Sequence, residues 1–436
     1  MKFVTDIDKK KYDKFVKKHP TKGHFLQSYA WGEFSKSAKG LIPHYVGLVD
    51  KNDNLVCTAL LLQKKLPLSF SYFYVPRGFV IDFSDKKLLT EFVEKIKKYI
   101  KDYKAIFLKI DPDIIWKEYN YKDEEILNDN NSKKIFDSLT ELGFKHLGFT
   151  KNFETMQPRY SFRINLDRDM IDIENCFSKT TMQRINKGAS LGTKVRIGTR
   201  DDVEEFNHLM ELTESRKDFI SHDLKYYQRL FDIYNKDNKM NIFMGSINCK
   251  EVIDTYLKEK EEILEKLNPL MELENPSKSN KTKMKELGNR VAKLDEYIKE
   301  YQDAMDEYGE EIVLSAHVIM EYGDKAWVLY AGNHNVLTSS YANYKTYYEH
   351  IKYCHEHKIK MYDQFGTIGD LDEKNPRYGL HLFKKKFGGN YVEFMGEFDL
   401  VTNKFMYFVF TKLVPFYRSM IRKISKLRRG GKNGNS

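Results

Sequence analysis

Short apolar runs alternate with turn-forming residues along the first part of the chain, a pattern that predicts β-strands accompanied by helices. The predicted strands cover residues 44–49, 55–62, 70–75 and 105–110. The polar segment Asp50–Asn54 supplies a hairpin turn between the first two strands. A helix is predicted at about 86–101, directly before the last strand, so this part of the chain is predicted to be a mixed α/β lobe.

The same order of elements recurs in the second half of the chain. Strands are predicted at 312–320 and 326–331, followed by a helix near 340–357 and a short strand that ends at Asp363. Because the order is repeated, we predict two related α/β lobes.

Between residues 250 and 308 the apolar period changes to that of a pair of helices. A heptad seam with spacings of three and four is formed by Met284, Leu287, Val291, Leu294, Ile298, Tyr301, Met305 and Tyr308. A less regular seam precedes it, formed by Ile253, Leu257, Lys260, Leu264, Leu267 and Met271. The polar segment 274–280 separates the two halves, so an antiparallel coiled-coil arm is predicted. Such an arm serves either as a rigid spacer or dimer contact, or as a contact to a long partner molecule.

The end of the chain has the pattern of a basic amphipathic helix. Its apolar stripe is formed by Leu413, Phe416, Tyr417, Met420, Ile421, Ile424 and Leu427. Nine basic residues and no acid lie between residue 400 and the end, so this segment supplies +9 of the net charge of +10. The composition is typical of helices that lie on an anionic membrane surface. A helix packed on the body of the protein, or one that binds RNA phosphates, is the alternative.

Composition places the chain among globular, two-domain proteins. Hydrophobic residues make up 41% of the 436 residues and aromatic residues 14%, enough for packed cores. The four cysteines form no CxxC pair, so we expect buried thiols of a reducing compartment. The N-terminus lacks a signal-peptide pattern, and no apolar stretch approaches the roughly 18 residues of a membrane span. We therefore expect a cytoplasmic protein, held at the inner face of the membrane by its basic tail.

The sequence offers no pattern for covalent or metal chemistry. There is no Gly-x-Ser-x-Gly elbow, and the cysteines show no nucleophile signature. His355 and His357 are the nearest approach to a metal-ligand pair, but two residues apart on a helix they do not share a face. We expect both to be surface residues.

A series of motifs runs through the chain in a fixed order. They are Phe25–Glu33 with Lys36 one turn on, Tyr74–Gly78, Lys109–Pro112, Gln157–Tyr160, Arg184–Lys187, Thr213–Arg216, Tyr226-Tyr227, Tyr362–Gly366 and Gly379–Gly389. Together, over about residues 20–410, they resemble the Fem (FemABX) family, whose members build the interpeptide bridge of bacterial peptidoglycan. The resemblance implies an α/β fold of two acetyltransferase-like lobes, the second interrupted by the coiled-coil arm. The implied bounds are 1–150 with 391–411 for the first lobe, 151–249 with 309–390 for the second, 250–308 for the arm and 412–436 for the tail.

The resemblance also implies the reaction. An amino acid, glycine, alanine or serine, would move from aminoacyl-tRNA to the stem-peptide amine of a lipid-linked or UDP-linked peptidoglycan precursor. The basic tail favours the lipid-linked acceptor. Because the ester is already activated, alignment and oxyanion stabilisation suffice, and we expect no cofactor besides the tRNA co-substrate. The arm could reach the tRNA, and a second copy of the chain or a related family member stays open as a partner.

Lys384 and Asp111 are the residues to which the resemblance gives catalytic roles. Lys384, in a Phe-Lys-x-x-Phe pattern, would stabilise developing negative charge, and Phe383 would shape the pocket wall. Asp111 would accept a hydrogen bond from the attacking amine or orient the peptide. From the residues alone, a basic surface turn is the favoured interpretation of Lys384, and Asp111 could equally be a helix N-cap or a turn residue before Pro112.

Lys36 and Arg216 are the residues that the resemblance assigns to the diphosphate of the precursor, and Tyr227 is assigned to substrate binding. A point charge and a forked guanidinium together suit phosphate. Lys36 could instead be a solvated lysine. Arg77 is expected to fix its loop, and Asp363 to make structural hydrogen bonds.

Two other functions compete with this hypothesis. An acyl-CoA-dependent N-acyltransferase would need a glycine-rich turn for the pyrophosphate, and the segment Arg184–Gly192, with its glycines four apart, fits that pattern poorly. A non-catalytic tRNA-binding or scaffold protein could use the arm and the tail alone.

Overall fold

The computed structural model describes residues 1–126, 131–216, 221–235 and 239–413. Its strands are β1 Lys2–Val4, β2 Ile42–Val49, β3 Leu55–Lys65, β4 Ser71–Val75, β5 Ala105–Ile110, β6 Ile115–Tyr119, β7 Phe144–His146, β8 Tyr160–Asn165, β9 Lys194–Ile197, β10 Met240–Asn248, β11 Glu311–Tyr322, β12 Lys325–Asn333, β13 Met361–Asp363, β14 Asn390–Phe394 and β15 Phe398–Val401. Its α-helices are α1 Lys9–Lys18, α2 Tyr29–Lys39, α3 Lys86–Lys101, α4 Ser132–Glu141, α5 Met170–Glu174, α6 Lys179–Ser190, α7 Asp202–Arg216, α8 Leu224–Tyr234, α9 Cys249–Met271, α10 Lys278–Tyr308, α11 Ala342–Glu356, α12 Tyr378–Lys385 and α13 Lys404–Phe408.

The chain folds into two compact units. Within the described residues, the first comprises Met1–Ser161, Gly366–Leu371 and the chain from Tyr391 to residue 413, and the second comprises Phe162–Phe365 and Asp372–Asn390. The sequence-based bounds differ from these in two places, because residues 151–161 and 366–371 group with the first unit. These two segments contact each other within the first unit, for example through the hydrogen bond from Thr367 N to Tyr160 O.

The first unit is built on a sheet with the strand order β1-β2-β3-β4-β5-β15-β7. The predicted hairpin turn is present, since the Asp50 carboxylate accepts from the backbone N–H groups of Asn52 and Asn54. Helix α3 has the predicted bounds and connects the parallel strands β4 and β5. The Asp85 side chain caps its first turn, and its apolar face, including Phe92 and Ile96, is buried in the core of this unit.

The second unit repeats this arrangement, as the order of elements predicted. Its strands follow the order β8-β13-β12-β11-β10-β9. Strands β11 and β12 are antiparallel, and α11 then leads to β13, which is parallel to β12. In each unit an antiparallel pair is thus followed by a helix and a parallel strand. The mixed α/β class is confirmed.

Helices α9 and α10 interrupt the second unit where the arm was predicted, and they pack antiparallel. Asn248, which caps the start of α9, binds Glu310 just after the end of α10. Tyr256 contacts Tyr301, and Glu259 pairs with Arg290, so the contacts run in opposite directions along the two helices. On α10 the predicted seam is confirmed from Leu287 to Met305, with Leu294 and Tyr301 fully buried, whereas its last member, Tyr308, is 39% exposed. That this pair supercoils as a coiled coil stays a prediction.

On α9 the predicted seam is partly wrong. Tyr256 and Ile263 are buried, whereas Leu257 is 42% exposed and Met271 is 63% exposed. Ile253 and Leu267 are buried as predicted, but Tyr256 and Ile263 replace the residues that follow them as the buried positions between these two. The reason is that the ring of Tyr256 packs against Tyr297 and Tyr301.

After β15 the chain continues through α13 into a π-type turn, Val409–Leu413. The predicted basic amphipathic tail lies outside the described residues, apart from Lys412 and Leu413. Across the described ranges, no helix is long and apolar enough to cross a membrane.

Candidate active site

Lys384 lies near the end of α12 in the second unit, and its side chain turns inward. Its Nζ atom donates to the backbone oxygens of Gln364 and Phe365, at 2.8 Å each. Phe365 has a φ of 54°, a left-handed conformation that is uncommon for a residue with a side chain. The bend exposes two successive carbonyl groups to one ammonium, so Lys384 does not lie in a solvated surface turn.

The side chain of Gln364 ties this bend to the helix that carries Lys384. Its Nε2 atom donates to the backbone oxygen of Lys384 at 3.1 Å, and its Oε1 atom accepts from the Tyr347 hydroxyl at 3.1 Å. Gln364 and Tyr347 are both buried. The lysine is therefore held from its side chain and from its backbone at once.

Asp363 supports the same bend from the other side. Its Oδ1 atom accepts from the Phe365 N–H at 2.8 Å, and its Oδ2 atom pairs with Arg163 Nε at 2.8 Å. The expected structural hydrogen bonding of Asp363 is confirmed. Because Arg163 lies on β8 and Asp363 ends the neighbouring strand β13, the register of the sheet brings the two together.

Burial controls the charge of the lysine. It lowers the pKa of the Lys384 ammonium from 10.5 to about 7, although the Asp363 carboxylate opposes this effect. An ammonium with such a pKa is strongly stabilised by any negative charge that forms beside it. Lys384 is thus suited to respond to an oxyanion.

Phe383, next to Lys384, packs into an aromatic cluster. Its ring lies 5.1 Å from that of Tyr344, 5.2 Å from that of Tyr347 and 5.3 Å from that of Phe387, measured between ring centroids. These contacts fix α12 on α11. Phe383 is partly buried and contributes to the core beneath the lysine.

Asp111 directly follows β5 in the first unit and is 3% exposed. Its Oδ2 atom accepts from the Tyr74 hydroxyl at 2.9 Å, and its Oδ1 atom accepts from the backbone N–H of Arg77 at 2.7 Å. Burial raises the pKa of Asp111 to about 7, against the lowering effects of Arg77 and Tyr74. Both oxygens thus contact the motif Tyr74–Gly78 in this conformation.

Arg77 is held in its loop by buried contacts, as expected from the sequence. One terminal nitrogen donates to Pro158 O at 2.6 Å, and the guanidinium lies 4.3 Å from the centre of the Phe394 ring. The Gln27 side chain binds the preceding carbonyl, Pro76 O, at 2.7 Å. Arg77, Asp111 and Gln27 therefore fix one loop at the end of β4.

Lys36 lies on α2 in the first unit, and it is exposed. Within the described ranges, no hydrogen bond or ion pair involves its ammonium. The helix itself is well defined, with a Ser28 cap at its start and Gly40 in a left-handed conformation at its end. Lys36 is therefore an accessible point charge on a fixed helix.

Arg216 is the residue at which α7, in the second unit, ends. Its guanidinium donates to Asn333 O at 2.5 Å and to Leu212 O at 3.1 Å. The side chain is exposed, and these carbonyl groups orient it at the end of β12. Carbonyl groups hold a guanidinium without neutralising it, so its positive charge is retained for an anion.

Tyr227, on α8, is buried and belongs to a cluster of aromatic rings. Its hydroxyl accepts from the backbone N–H of His222 at 3.3 Å, and its ring packs edge-on against Phe206 and Tyr330. At 1% exposure it forms the floor of this cluster. In the same cluster the imidazole ring of His222 stacks on the ring of Tyr226, with the two ring centroids 3.6 Å apart.

The predicted residues fall into separate groups. Lys384 and Phe383 lie together with Asp363 at one bend of the second unit, whereas Arg216 and Tyr227 lie on α7 and α8. In the first unit, Asp111 and Lys36 lie on different elements.

Sequence reasoning missed the polar groups behind Lys384. The side-chain role of Gln364 was not assigned, although the motif containing it was recognised. Behind it, the imidazoles of His317 and His350 contact each other at 3.0 Å, and His350 contacts the Tyr362 hydroxyl at 2.8 Å. Burial lowers the pKa of His317 to about 4 and that of His350 well below its ordinary value. No sequence pattern marks this cluster, because its members come from three elements.

The two histidines considered as a metal pair have other contacts. His355 Nε2 lies 2.9 Å from Arg168 O, and His357 Nδ1 lies 2.8 Å from Tyr353 O. In the part of the chain that the structure describes, no group of three or more His, Cys, Asp or Glu side chains is arranged to hold a metal ion.

Comparisons with known proteins agree with this architecture. The sequence model of the FemAB family matches residues 7–414. A lipid II:glycine glycyltransferase of Staphylococcus haemolyticus (strain JCSC1435) is 31% identical over 98% of this chain and 99% of that protein. An enzyme with the same name from Staphylococcus aureus (strain MSSA476) is 30% identical over 97% and 99%. The crystal structure of FemX has a TM-score of 0.74 and 28% identity, over 93% of this chain and 99% of that chain.

Because the family match covers almost the whole chain, the protein belongs to the FemAB family. It is an aminoacyltransferase of peptidoglycan interpeptide-bridge synthesis. The resemblance drawn from the ordered motifs is thereby confirmed. Neither an acyl-CoA-dependent acyltransferase nor a non-catalytic scaffold agrees with these relatives.

Proposed function

We propose that this protein transfers glycine from glycyl-tRNA to the stem-peptide amine of lipid II. This proposal depends on one observation: the chain aligns over nearly its whole length, and over nearly the whole length of each relative, with proteins named lipid II:glycine glycyltransferase, at 29–31% identity. Glycine is thus selected among the three amino acids that the family resemblance allowed, and the lipid-linked acceptor is preferred to the UDP-linked one.

Lys384 is the proposed electrostatic catalyst. Attack of the amine on the ester creates a tetrahedral intermediate with a negatively charged oxygen, and the amine then loses a proton as the tRNA hydroxyl leaves. A buried ammonium of fixed position stabilises that oxygen without reorganisation, which is the main requirement of such a reaction. The contacts of Lys384 with the carbonyl oxygens of Gln364 and Phe365 support this role, since they fix the ammonium before substrate binds. Phe383 keeps the helix that carries it in place.

Asp111 is proposed to act through the loop that it binds. In the described conformation its carboxylate holds Arg77 and Tyr74, which supports a positioning role for the Tyr74–Gly78 loop. A direct hydrogen bond to the attacking amine would require one of these two contacts to be exchanged.

Lys36 and Arg216 are the proposed ligands of acidic groups of the precursor or the tRNA. Both are exposed cations on fixed helices, and Arg216 is oriented by carbonyl groups that leave its charge unneutralised. Tyr227 is proposed to support the substrate-binding surface near Arg216 from below.

The proposed partners are glycyl-tRNA, lipid II and the inner face of the membrane, where a lipid-linked acceptor is located. The nine basic residues after residue 400 support attraction to anionic lipids. The helical hairpin α9–α10 is proposed as a contact to tRNA or to another protein copy.

A reconstituted transfer assay tests this function. The purified protein is incubated with lipid II in detergent and with a mixture of charged tRNAs, and the product is analysed by mass spectrometry. A mass increase of one glycine that disappears after ribonuclease treatment is expected. Alanine or serine in the product would refute the choice of amino acid, and transfer only to the UDP-linked precursor would refute the choice of acceptor.

A further inference from the structure

One edge of the sheet in the first unit gathers the ends of four strands. Strand β3 ends there, because Lys65 pairs with Ser71 at the start of β4. Strand β5 starts there, parallel to β4, and the antiparallel strand β15 ends there. The edge therefore carries the loop between β3 and β4, the start of β5, and α13, which follows β15. Asp111 lies at the other end of β5, roughly 20 Å away at 3.3 Å per residue.

In the described part of the chain, α13 packs on this edge through one face. The ring of Tyr407 packs 5.5 Å from that of Phe107, and its hydroxyl donates to Asp399 at 2.8 Å. Phe410 lies 5.6 Å from Tyr72, again between ring centroids. These inward contacts determine which residues of the segment point outward.

The outward face of this segment is apolar, contrary to the usual pattern of a surface helix. Phe405 is 73% exposed, Phe408 is 54% exposed and Leu413 is 47% exposed. Neighbouring exposed phenylalanines on a folded surface indicate a binding site for a membrane or for another molecule.

The neighbouring loop adds a fourth apolar side chain. Leu68 is 83% exposed and adopts a left-handed backbone conformation with a φ of 59°. The loop is closed by a hydrogen bond from Leu66 N to Phe70 O at 2.8 Å. A leucine held in a conformation that favours glycine, at the tip of a closed loop, is presented to the outside by the fold.

Lysines surround these apolar residues. The exposed ones at this edge are Lys65, Lys101, Lys104, Lys404 and Lys412. Asp102 is an acid at the same edge, so the balance is strongly positive. The chain continues from here into residues 414–436, which contain seven more basic residues and no acid.

We propose that this edge, formed by Leu68, Phe405, Phe408, Leu413 and the lysines around them, is the surface by which the protein docks on an anionic lipid bilayer. The apolar side chains enter the interface, and the lysines lie at the level of the anionic headgroups. A bilayer matches both features at once, whereas a protein partner would have to supply an apolar patch ringed by acids. This inference deepens the membrane association proposed above by naming the surface.

The test measures vesicle binding of the full chain, without tRNA or precursor, so that it is independent of transferase activity. Vesicles of phosphatidylcholine with and without phosphatidylglycerol are sedimented with the protein. Changing Leu68, Phe405 and Phe408 together to serine should weaken binding to the phosphatidylglycerol vesicles on the order of a hundredfold, since each apolar side chain contributes burial free energy. The matched control is Leu147→Ser with Met156→Ser, two exposed apolar residues at the opposite edge.

A second measurement locates the surface directly. Phe405→Trp should give a blue-shifted fluorescence component on phosphatidylglycerol vesicles, and lipids brominated on their acyl chains should quench it. Circular dichroism and thermal unfolding establish that each variant is folded. Equal binding of the triple serine variant and the unchanged chain would overturn the proposal, because the basic tail would then suffice. It would also be overturned if the serine changes abolished self-association of the protein instead of vesicle binding.

Discussion

The buried carboxyl group of Asp111 gives a stability change with pH that can be calculated from the structure. We consider the substitution Asp111→Asn, which preserves the size and shape of the side chain. In the folded protein, burial raises the pKa of Asp111 from 3.8 to about 7. In the unfolded chain the pKa returns to its ordinary value. The folded state therefore binds one more proton than the unfolded state between about pH 4 and pH 7.

The sign and the size of the effect follow from this difference. A group whose pKa is higher in the folded state contributes stability at low pH, and this stability is lost as the pH rises through the folded pKa. Each pKa unit corresponds to about 1.36 kcal/mol, so the total is about 4 kcal/mol. Asparagine does not titrate. Relative to the unchanged protein, Asp111→Asn should thus gain about 4 kcal/mol of stability between pH 4 and pH 8, an order-of-magnitude value.

Urea unfolding at a series of pH values measures this difference. Trp31 and Trp116 lie in the first unit, and Trp327 lies in the second. A Trp327→Phe background makes tryptophan fluorescence report on the first unit alone. Other titrating groups are the same in both proteins, so their contributions cancel in the difference at each pH.

Two stability curves that run parallel from pH 4 to pH 8 would refute this reasoning. They would mean that the hydrogen bonds from Arg77 and Tyr74, together with the charge of Arg77, compensate fully for the burial of the carboxylate. The same variant also separates the roles of Asp111. Suppose that Asp111→Asn folds and that the backbone N–H groups of Tyr74–Gly78 keep their protection from hydrogen exchange, but that turnover is lost. This result would indicate that Asp111 contacts the amine directly, and it would contradict the positioning role.

Three further predictions concern activity. Lys384→Met should lower kcat by about 10²–10³-fold with little change in the KM for the precursor, as expected for loss of an oxyanion-stabilising group; an unchanged kcat would exclude that role. Tyr347→Phe should lower kcat about tenfold, because the Gln364 amide that orients the lysine loses a buried hydrogen bond. The neighbouring change Tyr348→Phe, which removes a bond to Glu174, is the matched control, and equal effects of the two changes would mean that only general packing is affected. Lys36→Ala and Arg216→Gln should each raise the KM for the precursor or the tRNA about tenfold at nearly constant kcat, measured by steady-state kinetics; a loss confined to kcat would contradict a binding role.

The apolar pattern by itself determined most of the architecture. The spacing of Leu89, Phe92 and Ile96 defines an amphipathic helix wherever that helix packs, and α3 has the predicted bounds. The apolar runs of β2 and β3, the heptad seam of α10 and the repeated order of elements are likewise properties of the sequence pattern. The family was also identifiable, because its motifs occur in a fixed order along the sequence.

The apolar pattern predicted the buried positions less well on α9, where the packing of one helix against another decides which side chains are buried. On α9, Leu257 fits a heptad as well as Tyr256 does, but the packing of Tyr256 against Tyr297 and Tyr301 selects the other stripe. The choice depends on the shape of the partner helix, which a single sequence segment does not contain.

Only the tertiary structure decided the surroundings of the candidate site residues. The sequence could not distinguish Lys384 in a basic turn from Lys384 bound by two carbonyl groups, because those carbonyl groups belong to a bend about 20 residues away. It could not show that the Asp111 carboxylate binds the loop of Arg77, since burial and hydrogen bonding, which set its pKa, are properties of the folded chain. The outward face of α13 is a similar case. Phe405 and Phe408 look like core residues in the sequence, and only the packing of Tyr407 and Phe410 beneath them leaves their rings exposed.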